Sequence, residues 1–185
     1  MLEITVPKKE WFDDETFEFI VTPETHLVLE HSLVSLSKWE SNWEKPFLND
    51  SESLTPEEMI DYFRCMTIQP KNVHPLIYRY IYEDYELLGK VTSYINKKMT
   101  ATWFSDDSLK KGGGKEIITS EVIYYWMCKL KIPVEFEKWH LNRLMTLIQV
   151  FNAKDAPPKK RSRHEMLSSR RALNEKRKKE LKTRG

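Results

Sequence analysis

Apolar and polar positions follow two different periods along this chain, and the change falls near Ser32. Leu2-Glu3-Ile4-Thr5-Val6 alternates with period two. Phe17-Glu18-Phe19-Ile20-Val21 is short, apolar and partly β-branched, and His26-Leu27-Val28-Leu29 follows the turn signal Thr22-Pro23. These segments predict two or three short strands, with room for one hairpin. From Ser32 the spacing becomes helical. Leu33, Leu36, Trp39, Glu40 and Trp43 fall near one face, Ser32 can cap it, and Pro46 stops it. Asn49–Ser53 reads as a polar loop.

Thr55-Pro56-Glu57-Glu58 is the clearest local signal: a capping residue, a proline at the first helical position, and a glutamate three residues after the cap. It predicts a helix through Met59, Ile60, Phe63 and Met66 that ends before Pro70. Pro75 opens a long stripe of Ile77, Tyr80, Ile81, Leu88, Val91 and Ile95, with Gly89 as the place where it would loosen or break. Residues 99–118, with Gly112-Gly113-Gly114, read as a surface loop. The sequence Gly114-Lys115-Glu116 lacks the hydroxyl residue of a nucleotide-binding loop. A helical hairpin follows. Ile123, Trp126, Met127 and Leu130 stripe its first helix, Pro133 breaks it, and Leu144, Leu147, Ile148 and Phe151 stripe the second, which Trp139 and Leu141 extend. Two such helices should pack antiparallel.

Composition narrows the class. Hydrophobic residues make up 40% and aromatics 12%, enough to build a core from few layers, while only five glycines argue against a turn-rich sandwich or barrel. The expected fold is mainly α: a helical bundle-like domain over residues 1–156 with a short N-terminal β-hairpin or strands, then a basic C-terminal arm over 157–185. Cys65 and Cys128 lie in apolar helical patterns and read as reduced, buried small hydrophobes. Met1–Pro7 has no basic stretch ahead of an apolar one, and no run of about 18 apolar residues occurs. The expectation is therefore no membrane partner and a cytoplasmic location.

Charge divides the chain sharply. Residues 157–185 hold 12 Lys/Arg and three Glu, a net of +9; residues 1–156 hold the remaining 18 Lys/Arg and 25 Asp/Glu, a net of −7. In the arm, Met166, Leu173 and Leu181 form a seam too thin to bury against the body, so the arm is expected to be disordered or loosely helical alone and to order on a partner. It has no aromatic residue, which removes stacking on single strands. Its cations suit an acidic protein or, with salt-dependent affinity, nucleic acid phosphates; the remaining reading is a solvated tail alone. Arg161, Arg163, Arg170, Arg171 and Arg177 are the expected capture residues, Met166 and Leu173 the apolar anchors. Trp39, Trp43, Trp126 and Trp139 are expected in the core. Trp43, just before Glu44-Lys45-Pro46, is the one expected to be exposed for a partner. The acidic body could instead clasp the arm of another copy, giving a homo-oligomer.

Candidate chemistry is sparse. Glu137-x-x-His140 on a predicted helix has the i, i+3 spacing of di-iron bundles, but no second such pair exists. Glu30, His26 and His31 are close in sequence only. No nucleophile elbow, HExxH or Cys-x-x-Cys occurs. No metal, no cofactor and no catalytic residue is expected, and the chain is not read as an enzyme.

Three passages carry a resemblance: Ser37–Leu48 (SKWESNWEKPFL), Ile118–Met127 (ITSEVIYYWM) and Lys138–Leu144 (KWHLNRL), together with the ending Arg170–Arg177 (RRALNEKR). They resemble the tail assembly chaperones encoded in the tail modules of tailed bacteriophages. The resemblance implies a non-catalytic protein of the host cytoplasm that binds the tape measure protein, tail subunits, or both. A structural connector or tail protein of the virion, and a nucleic-acid-binding accessory protein acting through the arm, are the alternatives.

Overall fold

A computed structural model of the chain describes residues 1–13, 17–50, 54–102, 117–155 and 163–181. The chain divides into two compact units, Met1–Phe151 and Asn152–Gly185. Helix dominates, with eight α-helices among the described residues, but small antiparallel sheets hold more of the chain than the sequence pattern suggested.

The N-terminal strands are β1 (Leu2–Val6), β2 (Lys9–Asp13), β3 (Glu18–Thr22) and β4 (Thr25–Leu29). β1 pairs antiparallel with β4, from Leu2 opposite Leu29 to Val6 opposite Thr25. β2 pairs with β3, from Lys9 opposite Thr22 to Asp13 opposite Glu18. Both pairings share one register, so the four strands are one long hairpin interrupted halfway. Pro7 and Pro23 sit at the interruption, where neither can donate to the ladder. Ile4, Val6, Leu27 and Leu29 face the core. The outer half turns Trp11 toward helix α4 (Pro75–Glu83), edge-on to Tyr80 with Lys9 over both rings. Its opposite face leaves Phe12, Phe17 and Phe19 exposed.

Helix α1 (Leu33–Trp43) starts at Ser32 with a reciprocal Ser32–Ser35 capping box and ends at Glu44 in the left-handed conformation. Helix α2 (Phe47–Asp50) is one turn, where a loop was expected to begin. Helix α3 (Pro56–Met66) starts at the predicted box: Thr55 accepts from the Glu58 N–H, and Glu58 accepts from the Thr55 N–H. It runs directly into β5 (Thr67–Gln69), a strand invisible in the pattern, which adds to β4 as the third strand of the sheet.

The stripe from Ile77 to Ile95 is two helices, α4 and α5 (Tyr85–Ile95). The break falls at Asp84, not Gly89. Asp84 Oδ1 accepts from the Glu86 and Leu87 N–H groups and so starts a new helix, while Gly89 continues mid-helix with open space around it. Helix α6 (Ser120–Lys129) packs on α1, not chiefly on α7 (Leu141–Asp155) as the expected hairpin required. Cys65 is buried; Cys128 is exposed on α6, which corrects the expectation for that residue. The glycine triplet lies outside the described residues.

The core joins Trp39, Phe47, Tyr62 and Phe63 of α1–α3 to Ile81, Val91, Ile123, Leu144 and Ile148 of the later helices. Trp39 Nε1 donates to the Glu58 carbonyl at 2.8 Å. Two polar nodes are built into this core. Glu40 of α1 accepts from the Phe47 N–H (3.1 Å) and the Ser120 N–H (2.7 Å), so one carboxylate serves the first turns of α2 and α6. Thr119, at the cap of α6, makes no side-chain capping bond of its own. The second node is the Glu30–Ser32 corner between β4 and α1. The Glu30 N–H reaches the Met66 carbonyl, its carboxylate takes the Tyr94 hydroxyl and the Met1 ammonium, the His31 carbonyl takes the Leu141 N–H, and Ser32 bridges His140.

The second unit carries α8 (Arg163–Leu181). The arm is thus helical over this span.

Candidate functional site

Of the expected arm residues, Arg170, Arg171, Leu173 and Arg177 are exposed on α8. The backbone also places Arg163 and Met166 on this helix, and Arg161 lies outside the described residues. Every described side chain of α8 is exposed, as expected for a helix too polar to bury a face. Helical geometry orders the expected residues. Arg163, Arg170 and Arg177 recur every seven residues, and so do Met166 and Leu173. The two stripes run side by side, about 60° apart.

Trp43 is not the exposed tryptophan. It is half-buried, stacked near Trp39 (6.2 Å, 26°), and donates from Nε1 to Asp61 Oδ2 at 3.0 Å. The polar segment after it bends away because Glu44 is left-handed, and this leaves the indole on α3.

The first unit holds a cleft of about 1,120 Å³ whose cations were not singled out by sequence reasoning. α1 contributes Lys38, α3 contributes Arg64, the segment after β5 contributes Lys71, and the stretch entering α7 contributes Lys138 and Arg143. Val34, Met66, Ile68, Pro70 and Met99 line it as well. Glu30 is the one carboxylate in the lining, and the Met1 ammonium already meets it at 2.9 Å.

Both arginines are held in place. Arg64 Nε donates to Asp61 Oδ1 at 2.6 Å, and Asp61 also accepts from Asn42 and Trp43. Arg143 lies over Trp139 with its guanidinium 4.1 Å from the ring centroid. Phe136 stacks on the same indole at 3.9 Å and 16°. Two groups this close cannot share one face, so the indole is covered on both sides. Lys38, Lys71 and Lys138 have no ion-pair partner among the described residues.

His140 lines the cleft and faces the buried His31, ring centroids 5.1 Å apart. His31 bonds to the Tyr62 hydroxyl at 2.5 Å. Burial, then the charge of His140, pushes the His31 pKa down to about 3. Burial also lowers His140, whose Nε2 donates to the Tyr94 carbonyl while Nδ1 accepts from the Asn142 N–H. Neither nitrogen of His140 keeps a lone pair for proton transfer. Burial raises the Cys65 thiol to about 11, unsuited to a nucleophile at neutral pH.

The pair Glu137/His140 does not share a helical face. Glu137 is in a 3-10 turn (Val134–Lys138) and accepts from the Tyr124 hydroxyl, whereas His140 is in the bridge to Ser32. His26, on β4, bonds to Thr5 near the surface, away from the buried His31. No group of three or more His, Cys, Asp or Glu could hold a metal among the described residues. No helix among them is long and apolar enough to cross a membrane.

The cleft cations are scattered from Lys38 to Arg143, so no local motif announces them. Trp139 and Arg143, four apart, are the one pair whose spacing could have signalled it. No family model, curated protein or solved structure gives a significant match to the chain.

Proposed function

We propose that the chain is a non-catalytic assembly chaperone of the phage tail type, which captures a protein partner through its basic C-terminal helix. One observation carries the reading: α8 is exposed along its described length and sets a stripe of arginines beside a stripe of apolar residues. A helix of this kind gains little from folding alone and gains both charge neutralisation and apolar burial on a partner. The tape measure protein and tail subunits are the partners that the sequence resemblance implies, and the host cytoplasm is where they would meet. The test is a pull-down from nuclease-treated producing cells, comparing the native chain with one in which Arg170, Arg171, Arg177 and Leu173 are all changed to Gln. Recovery of a long helical protein or tail subunits by the native chain alone supports the reading. Equal recovery by both chains would end it.

The exposed aromatic face of the outer hairpin favours a second reading, a permanent subunit of the virion. Phe12, Phe17 and Phe19 are 50%, 78% and 69% exposed, and Phe12 meets Phe17 edge-on and Phe19 tilted. A structural subunit buries such patches in its assembly. Finding the chain in purified particles at a fixed copy number would favour this reading over a chaperone that leaves.

A further inference from the structure

We infer that the cleft between α1, α3 and the entry to α7 is a second binding site, which receives an acidic, partly apolar segment of a partner protein. It lies wholly within the first unit, and the inference does not depend on the arm. The body outside the arm has a net charge of −7, yet five cations converge on this cleft and its one carboxylate is already matched by the Met1 ammonium. Such concentration against the overall sign makes a local positive field that draws in carboxylates.

The two arginines are pre-oriented, Arg64 by Asp61 and Arg143 by the face of Trp139. Each guanidinium is tethered on one side and can still offer other N–H groups to a carboxylate, with little freedom left to lose. Besides the cations and polar residues such as Ser41 and Asn42, the lining holds Val34, Met66, Met99, Pro70 and Ile68, the last 45% exposed. A lining that holds both cations and apolar side chains matches a segment that carries both carboxylate and aliphatic side chains.

Nucleic acid fits this lining less well. Trp139 offers no free face, and Tyr78, the other lining aromatic apart from His140, is buried, so bases find no stacking platform. No glycine lines the cleft to let backbone N–H groups cradle a phosphate.

The experiment uses the full-length chain labelled with ¹⁵N and follows the indole N–H signal of Trp139, identified by its loss in Trp139→Phe. A Glu-rich peptide with spaced leucines is titrated in, and inorganic phosphate and a thymidine oligonucleotide are titrated separately. The expected result is a saturable shift with the peptide. Arg64→Ala with Arg143→Ala should weaken it about tenfold, and Arg170→Gln, Arg171→Gln and Arg177→Gln together should leave it unchanged. If the double variant does not fold, Lys38→Ala with Lys71→Ala, at two exposed positions, should weaken it about threefold. No shift with the peptide, a shift that follows the arm substitutions rather than the cleft ones, or saturation by phosphate or the oligonucleotide at lower concentration than the peptide would each overturn the inference.

Discussion

Glu40 shows how much one side chain can organise. Its two oxygens accept the first N–H groups of two helices that begin far apart in sequence, and both bonds are buried. Glu40→Ala orphans both amides and should cost about 1–3 kcal/mol for each. Glu40→Gln keeps one acceptor oxygen and should cost about half as much; urea denaturation midpoints of the two variants separate the cases. In the sequence Glu40 looked like one more position on the apolar face of α1, and no local pattern could reveal partners in α2 and α6. His31 was equally opaque, because its neighbours His140 and Tyr62 come from other elements. Its pKa of about 3 in the fold, against 6.5 when unfolded, has a definite sign. Between those values the unfolded chain binds a proton that the native chain does not. Its contribution is therefore intact above pH 6.5 and is lost as pH falls toward 3, with a slope of up to about 1.4 kcal/mol per pH unit. His140 acts in the same direction. Melting the native chain and His31→Asn at pH 7 and pH 5 should show the larger drop in the native chain, and equal drops would contradict this assignment.

Elements were legible where a start signal and a period agreed. Thr55-Pro56-Glu57-Glu58 announced α3 to the residue, and Ser32 announced α1. Thr55→Ala should cost about 1 kcal/mol by removing that cap, read as a lowered midpoint in thermal unfolding. The stripe from Ile77 to Ile95 misled because its apolar spacing continues across Asp84, and a capping aspartate inside an unbroken stripe looks like a surface residue. Asp84→Ala should cost a similar amount, since its Oδ1 serves two N–H groups of α5. β5 was hidden for another reason: three residues are too few to display a period, and its place is fixed by β4 alongside. The long N-terminal hairpin was only half visible, because Pro7 and Pro23 look like ends in the sequence although the register passes straight through them.

At the scale of the whole molecule, charge was the readable quantity and its placement was not. The +9 of residues 157–185 was plain from the sequence, whereas the cationic cleft required the fold to collect residues from four segments. If the arm captures an acidic partner as proposed, Arg170→Gln, Arg171→Gln and Arg177→Gln together should slow association on the order of tenfold while barely changing dissociation. Leu173→Ala should chiefly hasten dissociation. Surface-binding kinetics at low and high salt separate the two effects. The Glu30–Ser32 corner has a consequence in time. It is completed by Met1 from the start of the chain, Met66 and Tyr94 from the middle, and His140 and Leu141 from near the end of the first unit. On the ribosome the corner therefore stays open until Leu141 clears the exit tunnel, on the order of ten seconds after Ser32 is added at ordinary translation speeds. Through that interval the N-terminal hairpin and α1 wait without their last neighbours, so the nascent chain exposes core surface until residues well beyond Leu141 have been added.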